Sequence, residues 1–136
     1  MKLNELEINN VIAGFRVDLS YLKEFSHGDP EFEKDILESS MNEAEEKMLL
    51  LHQFISQKNF HPVRGIAHSL KSLMSVVGAS SLHQIFHSVE NCRQMELDTF
   101  FQTRFHTIHQ LWEKTKVQIE EIVRQQEPVA VHPMSI

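Results

Sequence analysis

Ala67-His68-Ser69-Leu70-Lys71-Ser72 lies inside an amphipathic run from His61 to Val77. On an α-helix at about 100° per residue, Val63, Ile66, Leu70, Leu73, Met74 and Val77 fall roughly 120–180° from His68, with Ala67 at about 100°. Only His61, Arg64, Gly65, Lys71, Ser72 and Ser75 fall within about 60° of it. One face is therefore apolar, and the other carries a histidine with two cations one turn away and small residues beside it. A core histidine would sit in the apolar arc; this one is expected at the surface.

The same periodicity continues outward in both directions. Residues 1–17 form a weakly patterned lead-in (Leu3, Leu6, Ile8, Val11, Ile12, Phe15). Asp18 is placed to cap a short helix through Phe25, with Leu19, Leu22 and Phe25 on one stripe. Gly28 then stops that helix, Asp29 caps the next, Pro30 fits its first turn, and Glu31 favours the positive end of its dipole. A long helix over about 30–57 carries Leu37, Met41, Ala44, Met48, Leu51 and Ile55 at spacings of four and three. Asn59 marks a break and Pro62 begins the helix of His68, about 61–77. Gly78 ends it, and Ser80 or Ser81 caps a helix over about 80–94 whose inward stripe is Leu82, Ile85, Phe86 and Val89. A last helix, about 97–126, carries Phe101, Phe105, Ile108, Trp112, Ile119 and Ile122. Residues 127–136 have two prolines and no periodicity, and read as a loose tail. The expected fold is all-α, an antiparallel four-helix bundle with short N-terminal helical additions, in one domain over residues 1–126.

At 136 residues such a domain can bury a core without staples. There is no apolar run long enough to span a bilayer and no visible secretory signal. The single cysteine, Cys92, forms no internal disulfide and fits a reducing, cytoplasmic setting. The formal net charge of −6 argues against nucleic acid, which needs clustered cations. Acidic residues concentrate between Glu31 and Glu46, so the cations around His68 stand out locally.

Short connections make neighbouring helices antiparallel, which allows a register to be counted. With the turn centred near Ala79, His68 lies eleven residues before it and Glu90 eleven after. The two should be level, with His87 and Gln94 one turn to either side. A carboxylate at Glu90 can then orient the imidazole through one nitrogen and make the other more nucleophilic. An exposed imidazole is largely unprotonated near neutral pH and is a competent nucleophile. A phosphoryl group placed on it brings about two negative charges. Lys71, three residues on, stacks over the same face. Its attraction for an anionic oxygen at ~4 Å is about 1 kcal/mol in water and ~4 kcal/mol at an effective dielectric of about 20. Gly65, Ser72 and Ser75 leave room for another protein, and Arg64 can steer an acidic one. In-line phosphoryl transfer asks for little more than such an accessible, positively framed nucleophile.

Ala67-His68-Ser69-Leu70-Lys71, with Gly78 ten residues after the histidine, resembles the signature of histidine-containing phosphotransfer (HPt) domains. The resemblance reaches back to Tyr21-Leu22 and Gly28-Asp29-Pro30-Glu31 and forward to Leu82 and Val89-Glu90, covering roughly residues 18–95. It departs at Ser72, where the family usually has glycine. The resemblance implies a four-helix bundle that relays phosphoryl groups between aspartates of response-regulator receiver domains. It implies His68 as carrier and Lys71 as its charge partner. The implied partners are receivers of a hybrid histidine kinase and of a downstream regulator, and the Mg²⁺ would belong to the receiver. With no Gly-rich ATP-binding segment, the chain is expected to be a monomeric carrier without cofactor rather than an enzyme.

Other readings differ in kind. The same bundle could be an interaction module that binds a partner through the Arg64–Ser75 face with no covalent step. His83 and His87, four apart, could chelate a divalent ion, but no third ligand accompanies them, and His106 and His109 lie on another helix. Cys92 has no histidine at a convincing spacing for thiol chemistry, and no nucleophile elbow is present.

Overall fold

The structure is a computed structural model whose described residues are 5–126, with side chains described at residue 7 and from residue 9 onward. Leu3 of the lead-in pattern and the tail from 127 onward lie outside the described residues, as do the side chains of Leu6 and Ile8. Among the described residues every regular element is helical: α1 Glu5–Gly14, α2 Ser20–Ser26, α3 Pro30–Ser56, α4 Val63–Val76, α5 Ser80–Asn91 and α6 Leu97–Gln126, with a single 3₁₀ turn, Gln94–Glu96, leading into α6. It is an all-α helical bundle, with α3, α4, α5 and α6 packed around one core and α2 laid against α3 and α4.

The core follows the apolar stripes. Leu37, Ala44 and Leu51 of α3, Val63, Ala67, Leu70 and Met74 of α4, and Leu82, Phe86 and Val89 of α5 are buried. From α6 come Leu97, Phe101, Ile108, Leu111, Trp112 and Ile119. Trp112, Thr115 and Glu33 place polar groups inward and give them partners. The indole N–H of Trp112 donates to Glu45 Oε2 at 2.6 Å, and the Thr115 hydroxyl donates to the Leu111 carbonyl at 2.7 Å. Buried Glu33 accepts from the Ser26 hydroxyl and pairs with Lys23 at 3.4 Å, which joins α2 to α3.

Several local expectations are corrected. Phe25 is not part of the buried stripe of α2. Ser26 turns inward to reach Glu33, so Phe25 sits at the edge, 39% exposed. Neither Ser80 nor Ser81 caps α5, whose N-cap is Ala79 with no side-chain bond. The helix of His68 starts at Val63, one residue after Pro62, because His61 and Pro62 form a turn. Helix α5 stops at Asn91, since Cys92 and Arg93 are extended, so Gln94 is not a turn beyond Glu90 on the same helix. The Asp29 cap forms as expected, its Oδ1 accepting from the backbone of Glu31 at 3.1 Å and Phe32 at 3.3 Å.

Gly78 does more than end α4. Its φ of +73° is left-handed, and a Cβ there would lie 2.1 Å from the Asp18 carbonyl oxygen. The Asp18 N–H donates to the Gly78 carbonyl at 3.0 Å. The chain entering α2 therefore crosses the α4–α5 turn in direct backbone contact, which only glycine permits. This crossing fixes α2 beside the exposed face of α4.

Candidate functional site

His68 projects from the middle of α4 with its side chain 62% exposed. The α4–α5 hairpin sets Glu90 opposite it, and the imidazole Nδ1 lies 2.6 Å from Glu90 Oε1. A carboxylate can only accept, so Nδ1 carries the proton. In the neutral ring that tautomer leaves the lone pair on Nε2. The second carboxylate oxygen, Oε2, is buried, and Lys71 Nζ stands 2.5 Å from it. Glu90 thus bridges the imidazole and the ammonium. The Lys71 ammonium, followed by the His68 hydrogen bond, holds the Glu90 carboxyl below the usual glutamate range. Lys71 and Glu90 are themselves only 21% and 23% exposed, so the bridge lies at the edge of the core with the ring standing above it.

The remaining small and charged residues of this face separate into two groups. Gly65 borders open space, with nothing within 4 Å of where a Cβ would stand. Ser72 is exposed, and its hydroxyl makes a long 3.4 Å bond to the His68 carbonyl. Arg64 is engaged within the fold: its guanidinium donates to the Cys92 carbonyl at 2.9 Å, closing the end of α5 against the start of α4. Ser75 is half-buried and lies 3.0 Å from His83 Nδ1, which also reaches the Lys71 carbonyl at 3.0 Å. Since that carbonyl can only accept, His83 Nδ1 bears a proton and belongs to the α4–α5 contact. His87 is tied to Asn91 on its own helix. Among the described residues there is no group of three or more His, Cys, Asp or Glu placed to hold a metal ion.

Beyond Ser72 and Ser75 the face continues onto α2. Asp18, Tyr21, Ser72, Ser75, Gly78 and His83 line one shallow groove. From Tyr21 a row of solvent-facing rings runs outward: Tyr21 meets Phe25 edge-on at 5.4 Å, and Phe25 meets Phe32 edge-on at 6.3 Å. The three are 54%, 39% and 40% exposed. In the sequence Tyr21 marks the family resemblance and Phe25 is expected on the inward stripe, so no exposed aromatic row is expected there. The signal was present: three aromatics within twelve residues, in a segment whose inward stripe Leu19, Leu22 and Ser26 already fill.

The family model for the Hpt domain matches residues 35–116, well over half of the chain, including all of α4 and α5. The chain belongs to the Hpt domain family. Hpt domains are phosphocarrier modules of His–Asp phosphorelays and interact with the receiver domains of response regulators. Comparison with curated proteins and with solved structures returned no match. The matched Hpt span contains His68, Lys71, Gly78 and Glu90, whereas Tyr21, Phe25 and Phe32 precede it. No helix among the described residues is long and apolar enough to cross a membrane.

Proposed function

We propose that this chain is a phosphorelay intermediate in which Nε2 of His68 accepts a phosphoryl group from the aspartyl phosphate of one receiver domain and passes it to the aspartate of another. The observation that carries this reading is the 2.6 Å contact between His68 Nδ1 and Glu90, which leaves the nucleophilic nitrogen of an exposed ring facing solvent. In the forward step the Nε2 lone pair forms the N–P bond while the aspartyl O–P bond breaks, its electron pair returning to the carboxylate. The ring becomes cationic, with its Nδ1 proton still bonded to Glu90. The reverse sequence delivers the group to the next receiver, so no proton has to enter or leave the site in either direction.

Lys71 supplies positive charge for the incoming anionic oxygens, and Glu90 orients the ring. Gly65, Ser72 and Ser75 give a receiver room to approach along α4. Arg64 adds a positive edge to the same face while bonded to Cys92. The rings of Tyr21 and Phe25 extend this docking surface, since exposed aromatics beside an open groove are the kind of residue that anchors protein interfaces. The carrier is monomeric and cytoplasmic, and the receivers bring their own Mg²⁺. Incubation with a phosphorylated receiver domain tests the reading. The chain should acquire an acid-labile, alkali-stable label, and His68→Gln should acquire none; equal labelling of the variant excludes the carrier role and leaves a binding module.

A further inference from the structure

The position of Lys71 contains a conflict. A lysine that stabilises a phosphoryl group on His68 should be available to it, yet its ammonium sits 2.5 Å from Glu90 Oε2, where the carboxylate already neutralises it. The same carboxylate accepts from His68 Nδ1 through its other oxygen. Phosphorylation would bring about two negative charges to the far side of that ring. One ammonium then faces two anions, and the larger charge lies on the phosphoryl group. Lys71 has a flexible four-carbon stem and three donors, which suits it to change partners without backbone movement.

We propose, building on the carrier reading above, that Lys71 is exchanged between Glu90 and the phosphoryl group, and that Glu90 thereby sets how strongly His68 retains its load. In the resting protein Glu90 holds the ammonium. On phosphorylation, Lys71 swings to the phosphoryl oxygens and leaves Oε2 without a cation. The transfer itself is the balanced step already given, with the N–P bond formed as the O–P bond breaks. The loss of the Lys71–Glu90 pair is subtracted from the gain of the Lys71–phosphoryl contact. Loaded His68 is therefore kept less stable than an unopposed lysine would make it, which favours onward donation over storage.

A cycle of four proteins tests this: the parent, Glu90→Gln, Lys71→Met and the double variant. Glutamine keeps an acceptor for Nδ1–H but removes the charge that competes for Lys71. At equilibrium with a phosphorylated receiver, Glu90→Gln should move the distribution toward phospho-His68 by about three- to fivefold, the range an ion pair at this exposure supports. In the Lys71→Met background the same change should lose that gain or reverse it, because no ammonium is left to compete for and the cationic ring still loses its carboxylate partner. The ζ-nitrogen resonance of Lys71 gives an independent readout that needs no receiver, since phosphoramidate can load His68 directly. Glu90→Gln should shift that resonance in the resting protein and leave it unmoved once His68 is phosphorylated. An equal shift in both states would mean that Lys71 never leaves Glu90. An undiminished effect of Glu90→Gln without Lys71 would also overturn the exchange. If neither donor labels His68, the carrier reading itself fails and the exchange falls with it, whereas labelling without the Lys71-dependent effect sinks the exchange alone.

Discussion

His68 and Glu90 are separated by 22 residues and meet at 2.6 Å because the turn at Gly78 and Ala79 folds two regular helices back in register. That pairing was legible in the sequence: once the turn is located, the count to either side needs only helical geometry. The partner of Lys71 was not. Three residues from His68, the lysine reads as stacking over the ring, but a long side chain follows the nearest fixed charge, and Oε2 of Glu90 is held beside it by the bond from Oε1 to the imidazole. The consequence is a lowered Glu90 carboxyl, with Lys71 as the first cause and His68 as the second. A carboxylate depressed in the folded state contributes stability above its unfolded value, and that contribution is lost as pH falls through the folded one. The bridge is therefore complete at neutral pH. A carbon-detected NMR titration should place the Glu90 midpoint below that of an exposed glutamate, and Lys71→Met should raise it more than His68→Gln does. A midpoint indifferent to Lys71 would contradict the bridge.

Along the elements, stripes were easier to read than ends. The inward residues of α3 to α6 follow from spacing, because burial repeats every three to four positions. Boundaries depend on bonds that the pattern does not contain. Arg64 closes α5 at Cys92, which takes Gln94 off the helix, and Ser26 turns inward to serve Glu33, which moves Phe25 to the surface. Two glycines flanking His68 in sequence behave oppositely. Gly65 is helical and borders open space, so Gly65→Ala should raise stability by about 0.5–1 kcal/mol in chemical denaturation. Gly65→Trp should fold as well as the parent but slow receiver transfer by about 10–100-fold, because a small displacement spoils in-line approach. Gly78→Ala should cost at least about 2 kcal/mol, since it combines a left-handed backbone with a clash against Asp18. A melting temperature unchanged by that substitution would contradict the crossing of α2 over the turn.

For the whole molecule, an all-α bundle was legible from composition and periodicity, and the placement of the N-terminal segment was not. That placement rests on backbone and side-chain bonds of long sequence separation. Gln118 bonds the chain at Phe15 and Val17, Lys114 bonds the carbonyls of Ile12 and Ala13, and Asp18 bonds Gly78. None of these leaves a periodic trace. Together they present Tyr21 and Phe25 beside the groove along α4, so the proposed docking surface spans two elements distant in sequence. Alanine at both Tyr21 and Phe25 should change stability by less than about 1 kcal/mol, because the rings are exposed, yet weaken receiver binding by about tenfold. Calorimetry of the variant against an unphosphorylated receiver separates the two effects, and unaltered affinity would remove the rings from the interface.

Phosphoryl carriage by this chain rests on one atom, Nε2 of His68. A phosphorus–nitrogen NMR correlation on the chain loaded by a phosphorylated receiver reads it directly. The phosphorus should couple to Nε2 of His68 while Nδ1 of the same ring keeps its proton against Glu90. Phosphorus on Nδ1, on any of the other eight histidines, or on no histidine would contradict it.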